Sequence, residues 1–227
     1  MMAYKRNPRS KDRYVFHHVV DDFISDPHFP YFVSFPRTGS HWFRIFMERY
    51  TGTPSLVQSF TIKSPKSFWS YHRHDKDLKE VGQRNKVLYL YRNPVDTIFS
   101  QISYERENMD KDSVNLYIEM YSNHILKWLY NNKAENFLSF TYEGLKEDPV
   151  SEIYKILLFL DMEINDERIT DCYSKSQKNL TKKVTGDSNF GVINLSDNYE
   201  QERDKFKKEY SEYIFNSFLS IDSRLRW

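Results

Sequence analysis

The stretch Tyr31–Tyr50 constrains the fold more than any other part of this sequence. It begins with Tyr31–Phe35, an aromatic and β-branched run interrupted by one serine, a pattern typical of a buried strand. Residues 36–39 (Pro-Arg-Thr-Gly) break the strand, and Ser40, a residue suited to the N-cap, precedes an apolar helical segment. A strand, a small-residue turn and a helix start form an anion site, because free backbone N–H groups and the helix dipole point to one spot. The sequence therefore predicts a phosphate site beside the Arg37 side chain.

A second strand–helix junction follows later in the chain. The apolar run Lys86–Tyr91 predicts a strand, which leads into Arg92. Asn93 is a good N-cap and Pro94 suits the first helical position, so a helix is expected to begin here. Arg92 then lies at a strand end beside a helix N-terminus, and Ser100 comes about two turns into the helix. An arginine fork and a hydroxyl in this arrangement predict a second phosphate site.

The two junctions together resemble those of the sulfotransferases that use 3′-phosphoadenosine-5′-phosphosulfate (PAPS). Residues 36–42 (Pro-Arg-Thr-Gly-Ser-His-Trp) are similar to the family pattern P-K-S-G-T-x-W, with arginine in place of lysine. Residues 92–100 match R-[DN]-P-x-D-x-x-x-S at every fixed position. The resemblance covers roughly Phe32 to Gly191 and implies an α/β fold, a three-layer sandwich with a central, mostly parallel sheet and a phosphate loop like that of P-loop NTPases. It also implies PAPS as co-substrate, adenosine 3′,5′-bisphosphate (PAP) as product, and no metal.

The resemblance implies roles for individual residues. Arg37 and the backbone amides of residues 38–41 would hold the 5′ end of the donor, and Arg37 would stabilise the leaving oxygen. Arg92 and Ser100 would fix the 3′-phosphate. Tyr142, in a segment similar to Y-E-x-L-x-x-[DN]-P, would wall the adenine, with Trp42 stacking on it. The predicted donor-binding residues are Arg37, Thr38, Gly39, Ser40, His41, Trp42, Arg92, Ser100, Tyr142, Lys182, Lys183 and Gly186.

Three of these residues rest on a looser match. Lys182, Lys183 and Gly186 loosely resemble the R-K-G-x-x-G segment that in the family closes over the 3′-phosphate. A solvated basic loop is an equally good interpretation of the same residues.

A pair of histidines supplies the possible general base. Ser67–Tyr71 predicts a second strand, which ends at His72-Arg73-His74. Histidines just past the carboxyl end of a strand lie where open α/β sheets bind ligands. The family's Lys/Thr-x-His pattern falls on these three residues and implies that His74 is the base, with His72 as the alternative. A His-x-His metal site is not favoured, because metallohydrolases continue with an aspartate where this chain has Lys76.

Composition limits the class of protein. With 227 residues the chain fits one α/β domain, predicted over 1–227 with an irregular N-terminal arm at 1–30 and a C-terminal helix within 196–227. The 33 Lys+Arg and 32 Asp+Glu nearly balance, which argues against a general nucleic-acid binder. A single cysteine, Cys172, fits a reducing compartment. No apolar run approaches a membrane span. These features predict a cytoplasmic protein without nucleic-acid or membrane partners, and the family resemblance implies a small-molecule or carbohydrate acceptor.

Two other classes remain open from the residues alone. A small kinase with a degenerate P-loop is one, although no Gly-Lys-Ser/Thr and no magnesium carboxylate is visible. A non-catalytic nucleotide-binding protein is the other, although such a protein would be expected to lose the base region. His124, within an apolar helical pattern, is predicted to pack in the core. No motif in the chain identifies the acceptor.

Overall fold

The computed structural model describes residues 5–6, 14–15, 26, 28–56, 58–63, 65–79, 86–176 and 198–227. Its strands are β1 (Lys5–Arg6), β2 (Tyr14–Val15), β3 (Tyr31–Ser34), β4 (Gln58–Ser59), β5 (Tyr71–Arg73), β6 (Val87–Tyr91) and β7 (Phe137–Thr141). Its helices are α1 (Ser40–Thr51), α2 (Pro94–Glu105), α3 (Lys111–Ile125, continued by a π-helical turn, Leu126–Tyr130), α4 (Tyr142–Glu147), α5 (Pro149–Phe159), α6 (Asp166–Lys175) and α7 (Tyr199–Ile221). The predicted donor residues Lys182, Lys183 and Gly186 lie outside the described residues.

The central sheet has four parallel strands in the order β5-β3-β6-β7. Tyr31 of β3 lies opposite Tyr71 of β5 on one side and Val87 of β6 on the other. The predicted α/β architecture with a mostly parallel sheet is confirmed. Because the strands are parallel, the residues that follow β5, β3 and β6 leave the sheet at the same edge, and the predicted site residues are among them.

A second, antiparallel sheet joins β1, β2 and β4. The interpretation of residues 1–30 as an irregular arm is therefore wrong in part, because two short strands from this region pair with each other and with β4. Strands of two residues carry too little sequence for a period of two to be visible, which is why the pattern did not reveal them.

Helices cover both faces of the parallel sheet. Alternate strand residues Phe32, Leu88, Leu90 and Phe140 face a buried cluster with α1, α4, α5 and α6. Their neighbours Tyr31, Val33, Val87 and Tyr89 face the opposite way and pack on Trp128 of the π-helical turn. A further cluster joins α2, α3 and α7 around Phe35. This arrangement matches the three-layer sandwich expected from the sequence.

Several predicted boundaries shift. The second strand of the sheet is Tyr71–Arg73 and not Ser67–Tyr71. The residues before this strand are instead held by the loop that follows α1, since the Trp69 amide donates to the Pro54 carbonyl. The C-terminal helix runs to Ile221. At α1, Gly39 is the N-cap and Ser40 the first helical residue.

Candidate active site

The turn between β3 and α1 is built from backbone in the left-handed region. Arg37 has φ 70° and Gly39 has φ 99°. The Thr38 hydroxyl closes the turn by donating to the Phe35 carbonyl at 2.7 Å. Among the described residues, no side chain makes a capping hydrogen bond to the N-terminus of α1. Successive backbone N–H groups in such turns form concave anion sites, which fits the predicted 5′-phosphate role.

Gly39 is required here for a second reason besides its positive φ. A Cβ at this position would lie 2.4 Å from Cδ2 of Tyr142, because the tyrosine ring packs directly on the glycine. The Tyr142 ring also contacts two cations, with Arg92 Cζ 4.6 Å and Lys146 Nζ 5.8 Å from its centroid. Tyr142 therefore joins the two predicted phosphate sites.

The Arg37 side chain contacts helix α2. Its Nε donates to the Ser100 hydroxyl at 3.1 Å, and its Cζ lies 4.7 Å from the ring centroid of Tyr104. Burial lowers the pKa of the Arg37 guanidinium, and the nearby phenols of Tyr199 and Tyr104 oppose that shift. Ser100, predicted to bind the 3′-phosphate beside Arg92, thus directly contacts the other predicted donor-binding arginine.

Arg92 is fixed through both its backbone and its side chain. The Tyr121 hydroxyl accepts from the Arg92 amide at 2.9 Å and donates to the Arg92 carbonyl at 2.7 Å. One guanidinium nitrogen donates to the Arg37 carbonyl at 3.2 Å, and Nε lies 4.0 Å from the Glu143 carboxylate. Asn93 caps α2 as predicted, accepting from the Val95 amide at 2.9 Å. Arg37 and Arg92 therefore belong to one site.

His74 lies on the other side of β3, and its tautomer follows from its partners. Nδ1 is 2.9 Å from the Ser34 carbonyl oxygen, and because a carbonyl only accepts, Nδ1 carries the proton. In the neutral ring Nε2 is then the acceptor. Burial lowers the pKa of His74 from 6.5 to about 4, with Arg44, Lys76 and Arg37 adding to the shift and the Ser34 bond opposing it. His74 is thus neutral at physiological pH, as a general base must be.

His72 is more deeply enclosed than His74. Its Nε2 lies 3.0 Å from the Ser34 hydroxyl, and its ring packs 4.8 Å from that of Phe32. Burial lowers the pKa of His72 well below its ordinary value, with Arg44 as the next contribution. The two imidazole centroids are only 4.8 Å apart, so both histidines share one pocket. The geometry favours His74 over His72, because the Nε2 of His72 is already occupied.

The backbone beside His74 is held by α3 and its π-helical turn. Nε2 of His124 donates to the His74 carbonyl at 2.9 Å, which leaves Nδ1 to accept from the Tyr89 hydroxyl at 3.0 Å. Asp75, whose φ is 45°, accepts from Lys127 Nζ at 2.6 Å and Trp128 Nε1 at 2.9 Å. Burial lowers the pKa of His124 to about 3, so the ring stays neutral. His124 is fully buried, in agreement with the prediction that it packs in the core.

Trp42 and His41 lie on opposite flanks of the first turn of α1. Trp42 packs edge-to-face against Tyr173, with centroids 5.8 Å apart, and stacks on Phe46. His41 meets Phe60 edge-to-face at 5.4 Å. Both are half-buried, so both present surface at the site edge. Stacking of Trp42 on adenine stays a prediction.

The described part of the chain also contains a cavity away from this site. A cavity of about 280 Å³ lies at the far end of α1, lined by Tyr50, Thr51, Met162, Glu163, Asn165 and Arg168, and holds none of the predicted residues. Within the described ranges, no group of three or more His, Cys, Asp or Glu side chains is arranged to hold a metal. No helix in the same part of the chain could cross a membrane. Metal independence and a cytoplasmic location stay predictions.

With the fold and the site in place, the chain can be compared with known proteins. A sulfotransferase domain model matches residues 40–212. The match covers most of the chain, and the protein therefore belongs to the sulfotransferase domain family and is an enzyme of that family. The matched range includes Arg92, Ser100 and Tyr142, whose roles in donor binding stay predictions.

Curated relatives and solved structures agree with this assignment. Sulfotransferase 2A6 of Rattus norvegicus is 25% identical over 198 residues, covering 71% of this chain and 69% of its own. A 3-alpha-hydroxysteroid sulfotransferase of Cavia porcellus is 26% identical over 212 residues, covering 77% of this chain and 73% of its own. A mouse sulfotransferase crystallised with PAP has a TM-score of 0.60 at 19% identity, covering 92% of this chain and 89% of that chain. At that identity the structural likeness supports the fold.

Proposed function

We propose that this sulfotransferase moves a sulfuryl group from PAPS to a hydroxyl or amine of a small-molecule acceptor, with His74 as general base. One observation carries the proposal. The turns after β5, β3 and β6 bring a neutral histidine and two arginines to the same edge of the parallel sheet. The mouse relative crystallised with PAP supports the choice of donor.

The donor would span the two arginines. Backbone amides of residues 38–41 and the Arg37 side chain would bind the 5′-phosphosulfate, and Arg92 with Ser100 would bind the 3′-phosphate. The contact between Arg92 and the Arg37 carbonyl, at 3.2 Å, supports a donor site of fixed length. Anions bind well to such preorganised N–H groups because the protein does not need to reorganise around them.

The proposed transfer needs no group other than the donor, the acceptor and the residues named above. The acceptor oxygen or nitrogen forms a bond to sulfur while the bond from sulfur to the 5′-phosphate oxygen breaks, and its electron pair stays on PAP. Arg37 would stabilise the charge that develops on this oxygen. The acceptor proton would pass to Nε2 of His74, whose Nδ1–H is held by the Ser34 carbonyl. His72 is the alternative base.

The acceptor is proposed to be a small molecule with an apolar body. The guinea-pig relative is named for a hydroxysteroid, and here the half-buried His41 ring, packed edge-to-face on Phe60, lies near His72. A carbohydrate is the alternative acceptor. Screening a steroid alcohol, a phenol, an arylamine and a monosaccharide with radiolabelled PAPS would distinguish these classes.

Calorimetric titration with PAP, ATP and AMP, with and without EDTA, tests the donor site. We expect PAP to bind more tightly than AMP, because only PAP carries the 3′-phosphate, and we expect EDTA to have no effect. A preference for magnesium-ATP would instead indicate a kinase-like site. No binding of any of the three nucleotides would indicate an interaction protein and would contradict the proposal.

A further inference from the structure

Tyr104 was not singled out from the sequence, yet it packs against the donor site. Its ring centroid lies 4.7 Å from Cζ of Arg37, and the Nε of that arginine donates to the Ser100 hydroxyl at 3.1 Å. Ser100 and Tyr104 are spaced i, i+4 on α2 and therefore lie on one face of the helix, a turn apart. Helix α2 thus contacts the same guanidinium twice, through a hydroxyl at its Nε and through an aromatic ring below its Cζ.

We propose that Tyr104 is a positioning residue which, together with Ser100, sets the orientation of the Arg37 guanidinium toward the sulfuryl donor. The inference rests on the proposed function, because the donor is what Arg37 would bind there. A guanidinium stacked on a ring keeps its N–H edge available for an anion while its plane is held. The orientation of the N–H fork then needs no further ordering when the donor arrives, which favours binding.

Side chains of α2 contact the Arg37 guanidinium, and the Tyr199 phenol of α7 lies near it. The Arg37 backbone is already held by its left-handed turn and by the bond from Arg92 to its carbonyl. The Arg37 side chain remains to be ordered, and its contacts with Ser100 and Tyr104 do so. Position 37 is also where the family pattern has lysine. A lysine ammonium has no plane for a ring to hold, so Tyr104 gives this site a physical reason to carry arginine.

The exposure of Tyr104 makes the idea testable without disturbing the core. Its side chain is 44% exposed, so replacing it changes the surface of α2 and not a packed cluster. Tyr154 on α5 is 46% exposed and has no place in the site, which makes Tyr154→Leu a matched control. Tyr104→Phe keeps the ring and removes only the hydroxyl, so it serves as the conservative variant.

The experiment measures PAP affinity by calorimetry for the wild type, Tyr104→Leu, Tyr104→Phe and Tyr154→Leu, each in an Arg37 and an Arg37→Met background. We expect Tyr104→Leu to weaken PAP binding roughly two- to fivefold, the size of an exposed cation–π contact. Tyr104→Phe should restore the affinity. In the Arg37→Met background Tyr104→Leu should cause no further loss, because the cation that the ring orients is gone.

The outcomes separate this inference from the function it rests on. Absence of PAP binding in the wild type would overturn the donor site and the inference with it. Normal PAP binding with an unchanged Tyr104→Leu variant would overturn the inference alone. An equal loss from Tyr104→Leu with and without Arg37 would also overturn it, because Tyr104 would then act on the donor directly. A loss that Tyr104→Phe does not repair would assign the effect to the hydroxyl and contradict the ring contact.

Discussion

The donor side and the base side of this candidate active site are built from different kinds of chemical group. On the donor side, the groups proposed to meet the phosphates are backbone amides in a left-handed turn and two arginines. On the base side, buried imidazoles are held by backbone carbonyls and a serine hydroxyl. A donor site must bind the same anion every time, and a rigid backbone suits it. A base must change its protonation state, so its environment has to control the pKa of a side chain.

The comparison also shows what each side costs in stability. The donor turn stores conformational strain at Arg37, a residue with a Cβ and positive φ. The base side keeps His72, His74 and His124 neutral against their ordinary tendency to protonate in mild acid. The cost of the donor turn depends on which residues occupy it, whereas the cost of keeping the buried histidines neutral depends on pH.

The largest expected effect is on the base side. His74→Gln should lower turnover about 100- to 10,000-fold, the usual contribution of a general base, while PAP affinity stays close to wild type. Turnover is measured with whichever acceptor the screen identifies, and PAP binding by calorimetry. His72→Gln is the comparison variant and should lose less, because its Nε2 already bonds to Ser34. Near-normal turnover in His74→Gln would move the base to His72.

Substitutions on the donor side should change the affinity for PAP. Arg92→Ala should weaken PAP binding about 10- to 100-fold, as expected when a charged hydrogen-bond donor is lost, and should leave AMP binding unchanged. The advantage of PAP over AMP would then disappear. The control is Arg168→Ala, which replaces an exposed arginine of α6 near the C-terminal end of α1. An equal loss for PAP and AMP would mean that Arg92 does not bind the 3′-phosphate.

The sequence predicts those parts of the site that are formed by consecutive residues, and it misses those that depend on contacts between distant residues. The junctions around Arg37 and Arg92 were predicted because a strand, a turn and a helix follow one another directly in the chain. Tyr121, which holds both polar groups of the Arg92 backbone, gave no such signal, since a tyrosine in an apolar helix pattern is indistinguishable from a core residue. Tyr104 was missed likewise, and the pairing of β1 and β2 with β4 depends on contacts distant in sequence.

Two glycines separate the cost of a left-handed residue from the cost of a clash with Tyr142. Gly39→Ala introduces a Cβ 2.4 Å from Tyr142 at φ 99°, whereas Gly52→Ala, at φ 72°, meets no described atom within 4 Å. The left-handed conformation alone costs about 1–2 kcal/mol, so Gly52→Ala should lower the free energy of unfolding by about that amount. Gly39→Ala should cost about 1–2 kcal/mol more than Gly52→Ala, since the clash is added. Urea denaturation measures both, and equal losses would argue against the Tyr142 contact.

The last prediction concerns the pH dependence of the base side. His74 has a folded pKa of about 4 and an ordinary value of 6.5, so between these values the unfolded state binds more protons. The free energy of unfolding should therefore fall as the pH is lowered from about 6.5 to about 4, with about 1.4 kcal/mol per pH unit for each such histidine. His74→Gln should make the fall in the free energy of unfolding less steep, by about 1.4 kcal/mol per pH unit, because one titrating histidine is removed. Urea titrations at several pH values measure the slope. If the slopes of wild type and His74→Gln coincide, the surroundings do not keep the His74 imidazole neutral. His74 would then make no pH-dependent contribution to stability, and the proposed difference between the donor side and the base side would be contradicted for this residue.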